Sequence, residues 1–473
     1  MHTPPAPLHH SSTQPDLRLG YVWTIAFIAA LGGLLFGYDW VVIGGAKPFY
    51  EVYFHLVSEF QIGWANSCAL LGCFAGSLVA GAAADKLGRK KLLVISAFLF
   101  AASSILTGWA AGFAAFIFWR ITGGIAIGLA SNISPLYIAE ISPAQWRGRL
   151  VSLNQLAIVI GILAAQLANW RIAQKIPPEL HGVVVASSWN AQYGWRWMFT
   201  AVAVPAILFL CSAPFIPESP RWLASRGRAQ AAVEVLRRLG GDFYAQSELA
   251  AIEKSLCAPH PRTAWRDLLA SPGRKLVAIG AALAVLQQWS GINILFNYAQ
   301  EVYHSAGYGV SEILFNIVIT GAINLIFTVV AMLLVDRLGR RRLMIFGCLT
   351  VGVSHLASSM AYRSHAHGAS VLILTLCAIA CYAMSLAPVT WVLIAEIFPN
   401  RMRAAAVSAS VAVLWVASFA LTYTFPLLNH SLGTSGAFLI YASICFAGAV
   451  FVLFAVPETK GRSLESLEGS GAR

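Results

Sequence analysis

"DKLGRKKL" at 85–92 returns as "DRLGRRRL" at 336–343, and two further stretches double in the same order: "IAEISPAQWRGR" at 138–149 as "IAEIFPNRMRAA" at 394–405, and "PESPR" at 217–221 as "PETKG" at 457–461. The offset stays near roughly 250 residues throughout, which is the mark of a fused duplication. Between these polar motifs the chain is apolar. Of its 473 residues 58% are hydrophobic and 11% charged, a balance that excludes an ordinary soluble protein. Runs long enough to cross a bilayer fall at 20–46, 61–84, 92–112, 114–139, 150–172, 195–216, 276–300, 311–335, 343–362, 369–395, 404–428 and 434–456, numbered below as spans 1 to 12.

The expected fold is therefore an all-α integral membrane protein of twelve transmembrane helices in two six-helix repeats. Residues 20–218 form the first half and 276–458 the second, with a small cytoplasmic helical domain at 219–275 between them. In that linker Pro220 suits a helix start, "RAQAAVEVLRRLGG" has apolar spacing and a glycine stop, and Asp242 can cap the next helix.

The net charge of +12 reports topology rather than a nucleic-acid partner. Bases crowd alternate connections: Lys86 to Lys91, Arg147 and Arg149, Arg221 to Lys275, Arg337 to Arg342, Arg401 and Arg403. The other connections hold only Lys47, Arg171, Lys175, Arg196 and Arg363. The positive-inside rule then puts both termini and the middle segment in the cytoplasm of a multi-pass protein of the plasma (inner) membrane. The first 20 residues lack a basic stretch followed by a short apolar core and cleavage site, so span 1 reads as retained. Seven of the eight Cys lie in spans and read as small packing residues; His355, inside span 9, reads as a packing histidine. No metal-ligand spacing, cofactor motif or phosphate-binding loop is present, so direct ATP drive and enzyme chemistry are disfavoured.

The duplicated motifs place acids beside bases at the cytoplasmic ends of paired spans: Asp85, Glu140, Glu218, Asp336, Glu396 and Glu458 beside Arg89, Arg147, Arg221, Arg340 and Arg403. One such run alone is a solvated set of topology charges. Two matched sets favour a cytoplasmic gate that latches the halves, and weak exposed pairs suit a latch that must break and reform.

Inside the spans polar residues are functional candidates. "LQQWSGINILFNY" in span 7 carries Gln287, Gln288, Asn293 and Asn297 around Gly291, which loosens the helix. Gln155 lies in span 5, Asn324 in span 8, and Trp391 in span 10 after Pro388. Amides donate and accept, as a sugar hydroxyl does, and Trp offers a face for the apolar side of a pyranose. The alternative is that these amides glue helices together. Asp39 in span 1 costs about 2.5–3.5 kcal/mol to insert, and the one base deep in a span is Arg120 in span 4. Pairing them makes either a proton-carrying device or a permanent structural pair, and GxxxG spacings beside both (Gly33–Gly37, Gly124–Gly128) provide for close packing.

From about 20 to 462 the chain resembles the sugar porter family of the major facilitator superfamily, above all its proton-coupled bacterial members. The stretches that carry the resemblance are "GRKK", "RITGGIAIGLASNISPLYIAEISPAQWRGRLVSLNQ", "PESPRWL", "QQWSGIN", "DRLGRRR", "WVLIAEIFPN" and "PETKG". The resemblance implies the major facilitator fold, a sugar site near the midplane and alternating access. It implies Gln155, Gln287, Gln288, Asn293 and Trp391 as sugar contacts, Phe36 and Trp415 as apolar walls, and Asn324 as a further polar contact. It also brings Asp39 close to Arg120, as proton-coupled members have it. The departures are Ile162 and Leu414 where relatives carry Gln, Asn297 for the first of two Tyr, and Ala387 for a Gly. Xylose or glucose specificity does not carry over. The expected function is sugar:proton symport by a monomer in a lipid bilayer. A passive facilitator with Asp39 structural is the alternative, and a nutrient sensor a remoter one.

Overall fold

The computed structural model describes residues 17–175, 186–257, 273–364, 368–398 and 402–458, all of them in helices and their connections. Eleven helical stretches are long and apolar enough to cross a membrane. The last, Ala405–Ala455, holds two spans: Gly433 adopts φ 68° and ψ 170°, outside the helical region, and separates spans 11 and 12. Twelve membrane-crossing segments result, as the apolar runs require. The protein is a multi-pass membrane protein.

Several helices depart from the expected bounds for physical reasons. Span 1 runs from Leu19 to Tyr53, past its first base at Lys47, because Phe49 and Tyr50 are fully buried and continue the apolar face. Span 6 starts earlier, at Asn190, with one π-helical turn through Gly194. Span 10 is interrupted at Ser385 (φ −130°, ψ −85°). Span 7 is interrupted at Gly291, whose left-handed backbone (φ 84°) faces the Tyr441 ring, with a Cβ position 2.8 Å from it. Glycine meets both demands there, the conformation and the close approach.

The GxxxG spacings provide close packing, but not between spans 1 and 4. Gly124 and Gly128 face the backbone of span 2, where Gly72 and Gly76 answer them; Gly33 and Gly37 face span 5, where Gly161 answers. Any Cβ at these points would strike backbone atoms of the neighbouring helix. Two of the seams between the first six spans and the last six are related by the duplication. Span 2 packs on span 11, with Gly63 against the backbone of Tyr423 and Trp64 edge-on to Phe419. Span 5 packs on span 8, with Gln166 against Gly321 and Trp170 beside Phe315. Under the duplication each seam maps onto the other.

The linker is helical where described. Pro220 opens the helix Pro220–Ser225, and the Ser219 side chain accepts from the Trp222 amide. The next helix, Ala229–Cys257, breaks at Gly240 and Gly241, the expected glycine stop. Residues 258–272 lie outside the described residues.

Candidate functional site

The break in span 7 creates the site's polar floor. An interrupted helix leaves carbonyls without their i+4 partners. Here the freed Ser290 carbonyl is met by the His355 Nε2 at 2.8 Å and approached by the Cys445 thiol at 3.7 Å. His355 is thus a packing histidine with a definite task, and it is fully buried. Around the break the Gln288 Nε2 donates to the Gln287 Oε1 at 3.0 Å, and the Asn293 Nδ2 donates to the Gln288 Oε1. The three amides are each less than a tenth exposed. They form one chain of alternating donors and acceptors, the array that a polyhydroxylated ligand matches.

Phe36 of span 1 and Trp415 of span 11 lie with ring centroids 6.0 Å apart, and Trp40 completes a trio at 5.6 and 5.9 Å. The Trp415 indole N–H is buried and has no protein partner. An aromatic trio and a chain of amides are the two surfaces that suit a ring with one apolar and one hydroxylated side.

Asp39, one residue before Trp40, pairs with Arg120: the Nη1 lies 2.9 Å from the Oδ1, and the two residues are 4% and 3% exposed. The guanidinium also sits 5.3 Å from the Phe199 ring centroid. The pair is incompletely satisfied, since the Asp39 Oδ2 and Arg120 Nε have no protein partner. Gly123 packs beside the pair: a Cβ there would lie 3.4 Å from the Asp39 Oδ2, an ordinary contact, and 3.1 Å from the Ser103 Oγ. A buried ion pair left with unpartnered atoms on both sides is weak evidence for a purely stabilising role.

At the motif end of the bundle the duplication produces the same construction twice. Arg89 forks onto Glu140 through two bonds of 3.0 Å and reaches Asp85 at 3.4 Å. The Glu218 Oε1 accepts from the backbone amides of Arg89, Lys90 and Ser219, so it caps span 3. In the second half Arg340 reaches Glu396 at 3.4 Å, and Glu458 accepts from the Arg340 amide at 3.0 Å. These described ion pairs join spans of the same half. Arg147 is exposed and donates to the Ala139 carbonyl, and Arg221 is exposed. The side chains of Asp336 and Arg403 lie outside those described.

The opposite end holds what the sequence reading missed. It assigned Lys47 and Arg196 to connections; both are in helices and buried. The Lys47 Nζ pairs with Glu51 at 2.9 Å on its own helix and with Glu301 beyond span 7, and it lies 5.2 Å from the Tyr298 ring centroid. This ion pair joins the two halves directly. Arg196 donates to the carbonyls of Gly108 and Ala110, completing the end of span 3. A charge inside a helix of apolar neighbours was the only signal.

Of the expected sugar contacts, the structure brings Gln287, Gln288 and Asn293 together by hydrogen bonds and Phe36 and Trp415 by ring contact. Asn297 and Asn324 are buried, Gln155 is half-buried, and Trp391, beyond the break in span 10, is 37% exposed. No hydrogen bond between Gln155, Asn324 or Trp391 and the amide chain is described. Leu414, which precedes Trp415, is buried. Gln288→Ala or Asn293→Ala is expected to weaken sugar binding by about 1–3 kcal/mol, because a ligand hydroxyl loses its partner in a buried site. Calorimetry on the purified variants checks this, and unchanged affinity in both would remove span 7 from the binding site.

A model of the family described as sugar (and other) transporter matches residues 25–469. The D-xylose-proton symporter of Escherichia coli is 37% identical over 480 residues, covering 95% of each chain. The glucose transport protein of Synechocystis is 38% identical, covering 97% of this chain and 99% of its own. In structure, the inward-open conformation of the E. coli xylose transporter superposes with a TM-score of 0.84 at 35% identity, over 95% of this chain and 100% of that one. The duplicated motifs, the twelve spans and the broken seventh helix thus have one common explanation: the chain belongs to the sugar (and other) transporter family of the major facilitator superfamily.

Proposed function

We propose that this protein carries a monosaccharide across the membrane together with a proton, by alternating access between its two six-span halves. The observation that carries the reading is the buried Asp39–Arg120 pair with an open carboxylate oxygen, set one residue from the aromatic wall of the sugar site. The naming of a relative as a D-xylose-proton symporter supports it. The sugar lies between Gln287, Gln288 and Asn293 on one side and Phe36, Trp40 and Trp415 on the other. Gln155, Asn297, Asn324 and Trp391 complete its surroundings during the cycle.

The halves are 20–218 and 276–458, with a cytoplasmic helical domain at 219–275 between them. Both termini face the cytoplasm across the inner membrane, and the carrier works as a monomer. The duplicated clusters form the cytoplasmic gate, each bracing its own half, and the Lys47–Glu301 pair closes the outer end. A closed outer end and the similarity to an inward-open relative support an inward-facing state.

The test is uptake of labelled pentoses and hexoses by proteoliposomes, with a pH gradient and with that gradient collapsed. Accumulation of at least one sugar above equilibrium is expected only with the gradient. Equal uptake in both conditions would make the protein a facilitator.

A further inference from the structure

Beside the coupling pair lies a small cavity walled by Trp40, Asn66, Arg120 and Asn297 together with apolar residues of spans 2 and 4. It has room of ≈ 20 Å³ for the centre of a water molecule. One water needs about 10–15 Å³ by that measure and two to four polar partners. Three polar side chains reach the cavity from three helices: Asn66 from span 2, Arg120 from span 4 and Asn297 from span 7. All are more than nine-tenths buried, at 4%, 3% and 5% exposure. Each has one polar atom without a protein partner: the Asn66 Oδ1, the Arg120 Nε and the Asn297 Oδ1. The Asn66 amide has a fixed orientation, because its Nδ2 donates to the Ile62 carbonyl at 3.1 Å.

The open groups are one donor and two acceptors, the complement of a single water. We propose that one bound water accepts from the Arg120 Nε–H and donates to both the Asn66 and the Asn297 Oδ1, and that this bridge couples the proton site to the sugar site. The proposal rests on the symport reading above. Arg120 belongs to the first half and Asn297 to the span that carries the amide chain, so the water crosses from one half to the other. When Asp39 is ionised, its charge offsets that of the guanidinium. When Asp39 is protonated, the guanidinium polarises the water more strongly, and the water binds the Asn297 carbonyl oxygen more firmly. The Asn297 N–H then becomes a stronger donor toward a sugar hydroxyl, through the mutual strengthening of linked hydrogen bonds. Proton and sugar binding therefore favour each other, and linkage makes the effect reciprocal. The other titratable side chains that interact with the pair are Cys68 and Cys73 of span 2 and Tyr50 of span 1; none of the three is a carboxylate or an amine. Asn66 is a positioning residue here: it holds the water and touches no sugar.

The test compares sugar affinity at mildly acidic and mildly alkaline pH in wild type, Asn66→Leu and the smaller Asn66→Val, using purified full-length carrier. D-xylose is the first probe, or else the sugar that the uptake panel shows to be accumulated. Wild type is expected to bind at least about fivefold tighter in acid, the lower range of measured couplings between two sites. Either Asn66 variant, if monodisperse, is expected to retain less than about half of that change in the logarithm of affinity. A wild-type pH response in the folded variants would overturn the bridge and leave symport standing. A wild type with neither pH-dependent affinity nor proton-driven uptake would overturn symport, and the bridge's role with it. A structure at water-resolving resolution is the direct check: density joining the three atoms is expected, and a dry cavity would refute the proposal whatever sugar is carried.

Discussion

Asp39→Asn is expected to abolish proton-driven accumulation while leaving sugar counterflow at a substantial fraction of wild type. The amide keeps the size of the carboxylate and can still accept from Arg120 at the 2.9 Å contact, but it cannot take up a proton. Accumulation needs that uptake. Counterflow needs only the movement of a loaded carrier. A gradient of one pH unit is about 1.4 kcal/mol, or roughly tenfold accumulation at one proton per sugar, and the variant should fall to the equilibrium ratio. Arg120→Ala should also lose coupling, and it strands a buried carboxylate at a cost of about 3–5 kcal/mol, so its yield should suffer where that of Asp39→Asn does not. Paired counterflow and gradient-driven uptake in the same liposomes decide the matter. Continued accumulation by Asp39→Asn would return the pair to a structural role and favour passive transport.

Lys47→Gln should produce the largest conformational effect. Lys47 is 1% exposed, and its loss leaves Glu51 and Glu301 facing each other across the seam between the halves. Removing one partner of a buried pair costs about 3–5 kcal/mol, enough to shift a two-state equilibrium by roughly two to nearly four orders of magnitude. The cost falls on the state with the outer end closed, so the population should move to the outward-open form. Spin labels at the exposed positions Val57 and Ser305 should report longer distances. Glu301→Gln should act likewise. Glu51→Gln should act less, because the bond from Lys47 to Glu301 survives. Unchanged distances in both Lys47→Gln and Glu301→Gln would make this pair a packing contact.

The fold was legible because it rests on features local in sequence: long apolar runs, doubled polar motifs, and glycines whose breaks at Gly240, Gly291 and Gly433 follow from missing side chains. The partners of those features were not legible. The spacing at Gly33–Gly37 announces a close helix contact but does not say that the neighbour is span 5. Lys47 falls outside the expected run because that apolar run ends at its first base. What keeps it inside is a carboxylate 254 residues away. Asn66 gave no signal at all, being one amide in one helix until folding sets it beside Arg120 and Asn297. The amide chain in span 7 was readable because its members are neighbours in sequence, whereas Trp40 acquires its place only when span 11 brings Trp415 against it.

The carbonyl at the break in span 7 is already met from outside its own helix, by His355 on span 9 and Cys445 on span 12. A turn of residues 292–297 about Gly291 would therefore leave the Ser290 carbonyl satisfied. Gln287 and Gln288 lie on one side of that pivot, and Asn293 and Asn297 on the other. On the proposed reading, a sugar gripped by both sets would act as a splint across an elbow, stiffening the outer arm only while the load is present. Lys47 holds the same arm from its far end through Glu301. Pinned at its tip by charge and, on that reading, at its base by cargo, the segment would let the carrier register whether it is full before any larger movement begins.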